Sequence, residues 1–544
     1  MLSKDTDVIV MGAGLAGITA AIWAARTGAK VCIVSSSKIG SGSSFYPGTW
    51  GLGLIGPESK EDEEDLLRII LKIGEGMVNP ELARTLVKGI HEGISDLKAM
   101  GLPLMEPVNK DEKAYIPCFD YKNREWHGIV KDGARQVFYK ELEKLGVDLL
   151  ENTSLTDIIV KDKKVVGARA VHTHKGSYDI IDIRCSSIVI ASGGLGGLFS
   201  HRLNTSDIRG LGQFLAYEAG ASLINLEFMQ MMIGYLKPAP KTIYNEKVFK
   251  YSDFTSIETG KSVFEGIDKQ KLKDMMEVRS TYGPFTCRLG CEDIDVRIYE
   301  EGKKSDLGVL LTYKDEIRDD QPEFVRTYFE WLEEDKGLTI NDPVKVAMFA
   351  HASNGGIQID TKGATSVKGL YACGEATGGM HGADRIGGLS TANGLVFGKI
   401  AGISAAKYSS GVVKEDVGLD SKKLYFVQDA SKYINEIRSL NYNAGMVVRE
   451  EEGIVEALEV LAVIRERANA SRKELNLLDL KEYQRTRELE AALTLSEAML
   501  RAMLIRKESR GSHFRRDYPY KNEEFSKPII ISQGKNESKI EFMV

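Results

Sequence analysis

The sequence predicts an α/β fold: a Rossmann-type nucleotide-binding domain, an inserted α+β capping domain and a C-terminal helical domain. Three observations predict it. A short apolar strand at residues 7–11 (DVIVM) runs into Gly12-Ala13-Gly14-Leu15-Ala16-Gly17. An apolar helix follows to about Arg26, then a second strand at 30–35 (KVCIVS), the β-turn-α-β spacing of a dinucleotide site. Glycine clusters return far downstream, at Ser192-Gly193-Gly194, at Gly355-Gly356 and between Cys373 and Gly394.

The chain has 544 residues, several times the ~150 that one domain typically holds. Residues 1–225 read as the first part of the nucleotide-binding domain. Within it, 61–100 are helical, with Leu66, Ile69 and Ile70 at helical spacing, and 150–190 alternate as strands. Residues 226–345 lose the glycine clusters and read as the capping, substrate-facing insertion. Residues 346–415 return to the first style, with a strand, a glycine-rich loop and a helix. Residues 416–544 form the helical domain and a polar, irregular tail. Leu, Glu, Ala and Arg recur at helical spacing between about 420 and 510. No internal repeat is evident.

Apolar residues make up 43% of the chain and charged residues 28%, an ordinary globular mixture that excludes disorder. A net charge of −6 argues against nucleic acid as a partner. The N-terminus lacks a basic region, and its apolar stretch is broken by Gly12, Gly14 and Gly17, so it does not read as a secretory signal. No apolar run is long enough to span a membrane. The default location is cytoplasmic. Six cysteines are mostly isolated in apolar runs, which suits buried thiols in a reducing compartment. None has iron–sulfur or zinc spacing, and no metal site is expected. Cys287 and Cys291, four apart, read as unrelated thiols.

The Gly12–Gly17 motif has a steric and electrostatic logic. Gly12 permits the tight turn, Gly14 lets the backbone approach a pyrophosphate, and Gly17 lets the helix pack on the strand. The helix N-terminus then faces phosphate charge. The second strand ends in Val34-Ser35-Ser36-Ser37-Lys38, without the acid that usually binds a ribose. A serine hydroxyl takes that place, which favours FAD over NAD. The downstream glycine clusters fit the same reading, because an extended cofactor needs backbone close to it along its length.

These stretches resemble the succinate dehydrogenase/fumarate reductase flavoprotein family, which includes L-aspartate oxidase. The likeness covers about residues 5–240 and 345–520. Its carriers are DVIVMGAGLAG, SGSSFYPGTWGLG, IVIASGGLGGLF, HASNGGIQID, GLYACGEATGGMHGADRIGG and SRGSHFRRDYP, in family order, together with the serine-lysine ending of the second strand. The resemblance implies an FAD-dependent oxidoreductase. It implies FAD contacts at Gly12, Gly14, Leu15, Ala16, Gly17, Ser35, Ser36 and Lys38, and at Ser43, Ser44 and position 52, a leucine between Gly51 and Gly53. It extends them to Ala191, Ser192, Gly193, Gly194, Gly374, Glu375, Arg385, Gly388, Ser390 and Thr391. Glu375 would bind the ribityl chain, and Ser390 and Thr391 would cap a helix facing the flavin pyrimidine. Ser44 stands where some members carry a histidine linked to FAD, so non-covalent FAD is expected.

The same resemblance implies substrate contacts at His351 and Arg385, with His381 in the same motif. Arginine's fixed fork suits a carboxylate. Two family positions differ. Met232 stands where a substrate histidine is expected, and Gly283 where the proton-donating arginine is expected. Arg288 remains as a candidate catalytic residue, and Arg279 or Arg288 could serve from a shifted position. The pocket is therefore expected to be less cationic and more apolar than one for fumarate, suiting an enone, an enoyl compound or a monocarboxylate. Met229, Met231 and Met232 read either as an adaptable pocket wall or as core. Hydride transfer at a C–C bond beside a carbonyl or carboxylate leads the functional readings. L-aspartate oxidase and an electron-transfer subunit, working with an iron–sulfur or other protein, are the alternatives. Oligomerisation stays open.

Overall fold

The computed structural model describes residues 2–304, 307–415, 424–476, 479–534 and 540–543. Its centre is a five-stranded, all-parallel sheet in the order Leu370–Ala372, Ser187–Ile190, Val8–Met11, Val31–Val34, Asp148–Leu150. Val8–Met11, Val31–Val34 and Ser187–Ile190 are buried throughout, as strands covered on both faces must be. The helices Leu15–Arg26 and Leu389–Ser410 pack closely on each other. Their contact is backbone to backbone: a Cβ on Gly402 would lie 2.2 Å from the Ala20 carbonyl oxygen, and one on Gly398 2.8 Å from that of Ala16. Glycine is needed there for close approach. Its cost to helix propensity, about 1 kcal/mol, is borne at each of these positions.

The sequence expected one helical region over 61–100. Two helices form, Lys60–Ile73 and Pro80–Ala99, because Asn79 caps the second through the Glu81 amide and Pro80 opens it. The strands expected over 150–190 are Thr153–Lys161, Lys164–His174 and Ser177–Arg184, which make an antiparallel sheet extended by Leu2–Asp5. The insertion carries an antiparallel sheet of Met229–Lys237, Val344–Ser353, Val309–Tyr313 and Ser252–Ser256, with helices Lys269–Arg279, Glu292–Lys304 and Glu323–Trp331. Val344–Ser353 runs across the expected boundary at 345/346 and pairs with Met229–Lys237 from Met229↔Ser353 to Lys237↔Lys345. The other expected boundary, 415/416, borders residues 416–423, which lie outside the described residues.

Three C-terminal helices, Ala430–Gly445, Glu451–Ala470 and Leu480–Ile505, pack on one another. The tail differs from its expected irregular form. Ile530–Gln533 pairs with Leu223–Ile224 and with Ile540–Met543, and Ile529 and Ile531 are fully buried. A short apolar run inside a polar tail is enough to add one strand to an existing edge.

Charged side chains hold the C-terminal region against the site. Glu227, at the start of the Met229–Lys237 arm, is fully buried. Its carboxylate accepts from Arg506 Nε at 2.8 Å, and its carbonyl accepts from Arg449 Nη1 at 2.8 Å. Arg506 also donates to Glu508 and to the Phe525 and Lys527 carbonyls. His513 bridges Arg449 and the Arg506 carbonyl. Removing one partner leaves an uncompensated buried charge, which costs about 3–5 kcal/mol. Glu227→Ala is thus expected to lower unfolding free energy by about that amount in urea titration of the purified protein. A loss below about 1 kcal/mol would show that the clamp does not hold the fold together.

Candidate flavin and substrate site

A cleft of about 850 Å³ runs from the carboxyl end of the parallel sheet, where ligands sit in open α/β folds. Gly12, with φ of +114°, is the tight turn: a Cβ there would lie 2.3 Å from the Ala191 carbonyl oxygen. Gly17 packs the helix on that turn, its Cβ position 2.1 Å from the Gly12 carbonyl oxygen. Above Gly14 the nearest atoms to such a Cβ are Ser41 O at 3.6 Å and Ser44 Oγ at 3.9 Å, so a slot remains between helix start and loop. The loop is pinned from outside by Arg135, which donates to the Gly40 and Phe45 carbonyls, and by Lys131, which donates to those of Tyr46 and Thr49.

The helix Leu15–Arg26 has no side-chain cap and no acid in its first turn, so its amides face the slot uncompensated. Ser43 Oγ and Ser192 Oγ are buried without a partner. These features fit a bound pyrophosphate and an extended cofactor. Gly12, Gly14, Leu15, Ala16, Ser35, Ser36, Ser43, Ser44, Ala191, Ser192, Gly193 and Glu375 all line the cleft. Gly17 stands behind it, and Gly194 lies against Glu375. Lys38 is exposed and does not line the cleft. Thr153, Ser154, Asp207, Ile208 and Arg209 do line it and carry no motif. Only the fold brings them there.

A second cavity continues past Leu15 and Ala16. Ser43, Ser44, Leu52, His351, Gly374, Glu375, Arg385, Gly388, Ser390 and Thr391 border it. The helix Leu389–Ser410 starts here, but Ser390 and Thr391 do not cap it. The cap position is Gly388, with φ of +82°, and the two hydroxyl residues sit in the first turn. No acid stands in that turn, so this second helix N-terminus also faces the cavity uncompensated. Glu375 joins the two spaces. Burial raises its pKa, opposed by the Ser353 amide 3.0 Å away and by Arg385.

Arg385 is buried and has no carboxylate partner among the described residues. Its Nε donates to Gln230 Oε1 at 3.0 Å and its Nη1 to the Ile386 carbonyl at 3.3 Å. Burial pulls its pKa down, and Glu375 opposes that. His351 borders the same cavity, with Nδ1 unpartnered. Burial, then the Arg385 charge, pushes its pKa down to about 3, so the ring is neutral. His381 is likewise pushed to about 3, with neither ring nitrogen partnered, but it does not line the cavity.

Two expected arginines are elsewhere. Arg288 donates to Asp384 at 3.2 Å, lies over Phe119 and does not line the cavity. Arg279 is fully buried in a bidentate pair with Asp295 at 2.7 and 2.9 Å, and donates to the Tyr282 and Gly283 carbonyls. Neither borders the cavity. A Cβ on Gly283 would meet Met232 Cε at 3.2 Å, Cys118 Sγ at 3.4 Å and the Glu246 carboxyl carbon at 3.4 Å. Of the three methionines, Met232 lines the cavity, while Met229 and Met231 belong to the core. Cys118 and Glu246 were not singled out in the sequence, where nothing marks them. A side chamber shares Thr49–Gly53, Cys118, Glu246 and Phe324 with this cavity and adds Tyr115 and Trp126.

A model of the FAD binding domain matches residues 7–246 and 310–391, and one of the fumarate reductase flavoprotein C-terminus matches 435–543. The chain belongs to the succinate dehydrogenase/fumarate reductase flavoprotein family. It is an FAD-dependent oxidoreductase. The flavoprotein is 28% identical to one subunit of the fumarate reductase (CoM/CoB) of Methanothermobacter marburgensis, over 97% of each chain. It is also 28% identical to the L-aspartate oxidase of Saccharolobus solfataricus, over 97% of this chain and 100% of that one. Among solved structures, the apo Sdh1 complex of Mycobacterium smegmatis matches with a TM-score of 0.80 at 23% identity, covering 100% of this chain and 94% of that one.

At Gly12, strain plus a clash with the Ala191 carbonyl sets the expectation for Gly12→Ala. About 1–3 kcal/mol of backbone strain converts to roughly a 5- to 150-fold loss of FAD affinity. Flavin absorbance per protein, read after dialysis, checks it. Retention of full FAD would show that the turn adapts.

Proposed function

We propose that the flavoprotein transfers hydride at a C–C bond beside a carbonyl or carboxylate, on a substrate larger and less charged than fumarate. The observation that carries this reading is the charge and shape of the second cavity. Its bordering residues include one cation, Arg385, and two carboxylates, Glu246 and Glu375. A compact dianion would be poorly neutralised there. One carbonyl or carboxylate is well matched, by the unpaired guanidinium and the neutral His351 imidazole. The adjoining chamber supports a larger substrate. Trp50 and Phe324 meet edge to face at 5.5 Å, as do Tyr115 and Phe324 at 5.5 Å, and Trp126 lies tilted against Tyr115 at 5.1 Å. Such a wall suits an alkyl or aryl group.

When bound, FAD supplies the two-electron chemistry. The residues at Gly12–Ala16, Ser43, Ser44, Ser192, Glu375, Ser390 and Thr391 would hold it, and we infer a non-covalent site because Ser44 replaces the linking histidine. Arg385 would fix the substrate's carbonyl end, with Gln230 orienting the guanidinium. The L-aspartate oxidase reading shares the fold and the cofactor, but the same shortage of cations opposes a dicarboxylate amino acid. The Methanothermobacter relative is by name one chain of a larger enzyme. Among the described residues no cluster of His, Cys, Asp or Glu is able to hold a metal. We therefore infer that electrons from any iron–sulfur centre would come from a separate protein. No helix of the described residues is long and apolar enough to cross a membrane. Six cysteines without a disulfide suit the cytoplasm.

The test is anaerobic reduction of the purified holoprotein, then mixing with fumarate and with aryl and alkyl enoates and enones. Flavin reoxidation is expected to be fastest with monoanionic or neutral acceptors carrying an apolar group. Fumarate reacting as fast as the best of them would overturn the reading. A separate acid precipitation is expected to leave the yellow colour in the supernatant; colour in the pellet would show a covalent link.

A further inference from the structure

We infer that Cys118, coupled to Glu246, is the proton donor of this site. The inference rests on the proposed reduction of a polarised C=C bond. Such a reduction delivers hydride to one carbon and needs a proton at its neighbour. The arginine expected at position 283 is a glycine, and the two nearby arginines pair with Asp295 and Asp384 and border neither the cavity nor the chamber. A donor must therefore come from the groups that border the cavity.

Those groups are Tyr46, Cys118, Glu246, His351, Glu375 and Arg385. Tyr46 donates to the Lys241 backbone carbonyl at 2.6 Å, a partner that cannot resupply a proton, and sits in the apolar cluster with Leu203 and Phe349. Glu375 stands at the junction with the nucleotide cleft and accepts from the Ser353 amide. His351 is held neutral, which leaves only a weakly acidic N–H. Arg385 is the cavity's one bordering cation, and losing its proton would release the carbonyl it binds.

Cys118 has a different geometry. Its Sγ donates to Glu246 Oε1 at 3.1 Å and accepts from the Gly283 amide at 3.2 Å. It borders both the flavin-side cavity and the aromatic chamber, so it stands at the neck where a substrate with an apolar tail must pass. The Gly387 amide donates to the Cys118 carbonyl at 3.2 Å, tying the backbone of this residue to the loop that carries Arg385. Burial, with Glu246 adding to it, pushes the Cys118 thiol up to about 12, so the proton is present at neutral pH. The glycine at 283 is part of the device. It clears room for sulfur and presents an amide to it in place of a guanidinium.

The balance is simple. The substrate double bond takes hydride at one carbon, and its other carbon takes the proton from Cys118. The S–H bond breaks and its electron pair stays on sulfur, where the Gly283 N–H stabilises the thiolate. A proton from solvent, entering through the open chamber, is then passed by the Glu246 carboxylate to sulfur, which restores the S–H bond.

The experiment pairs turnover with a spectroscopic readout that needs no substrate. With the best acceptor of the enoate and enone panel, Cys118→Ala is expected to lower kcat by about 10²–10⁴-fold with KM changed less than about threefold. Cys118→Ser, which keeps a weaker O–H acid, should recover part of this. Glu246→Gln, which cannot pass a proton on, should resemble Cys118→Ala. Bound-FAD spectra verify that each variant is folded. In infrared spectra of the holoprotein, the S–H stretch absent from Cys118→Ala should move to higher frequency in Glu246→Leu. Wild-type reduction of an acceptor with Cys118→Ala within threefold in kcat would overturn the proposal and leave the functional reading intact. An S–H band unmoved by Glu246→Leu would also overturn it. If the wild type reduces none of the panel, the functional reading fails and the proposal with it.

Discussion

The fully buried ion pair between Glu227 and Arg506 is the constraint on which the site's geometry depends. It fixes the start of the Met229–Lys237 arm against the C-terminal region. Three residues on, Gln230 reaches back to Arg385. The loop holding Arg385 is held from the other side as well: Asn354 Nδ2 and Ser512 Oγ both donate to the Ala383 carbonyl. The Arg449, His513 and Arg506 set thus acts at a distance. It gives the guanidinium of Arg385 one orientation, although none of its members borders the cavity. Buried ion pairs are weak evidence for stability as such. Here their value is positional, since a binding group displaced by 1 Å loses much of its effect.

Arg385 itself shows how the fold handles an uncompensated charge. Burying a guanidinium is costly, and among the described residues it is offset by two neutral acceptors, Gln230 and the Ile386 carbonyl, with Glu375 acting on it without a direct ion pair. Asp384, one residue before it, turns Oδ2 to Thr286 and Arg288 and makes no ion pair with Arg385. That arrangement leaves hydrogen-bonding capacity directed into the cavity. A ligand bearing a carbonyl or carboxylate would complete it, while the neutral His351 adds a polar contact without adding positive charge.

Much of this was legible in the sequence, and the reason is steric. Gly12, Gly17 and Gly398 are places where a Cβ would strike backbone, so the fold writes itself into residue identity there. The nucleotide-binding unit and its cofactor follow from such positions, whereas the strand order does not. What the sequence hid depends on side chains that meet only in three dimensions. Thr153, Asp207 and Arg209 have no spacing that links them to Gly12. Arg288 looked free because nothing local names Asp384 as its partner, 96 residues away. Ser390 and Thr391 resembled caps, yet Gly388 in a left-handed conformation takes that role and frees both hydroxyls. The tail strand was missed because Ile529 and Ile531 form too short a run to read as a strand until an edge receives them.

Gly283 joins these two lessons. In sequence it reads as a loss, a catalytic position left without a side chain. In the structure it borders the cavity, and a Cβ there would touch Met232 Cε at 3.2 Å with Cys118 Sγ and the Glu246 carboxyl carbon at 3.4 Å. Charge reverses along with shape: one cation disappears and a buried carboxylate stands within reach. The proposed preference for a neutral or singly charged acceptor with an apolar tail rests on that reversal. The aromatic chamber beyond Cys118 supplies the matching surface for that tail. The thiol–carboxyl pair borders both spaces, so the pocket beside Arg385 and the aromatic chamber are continuous through it.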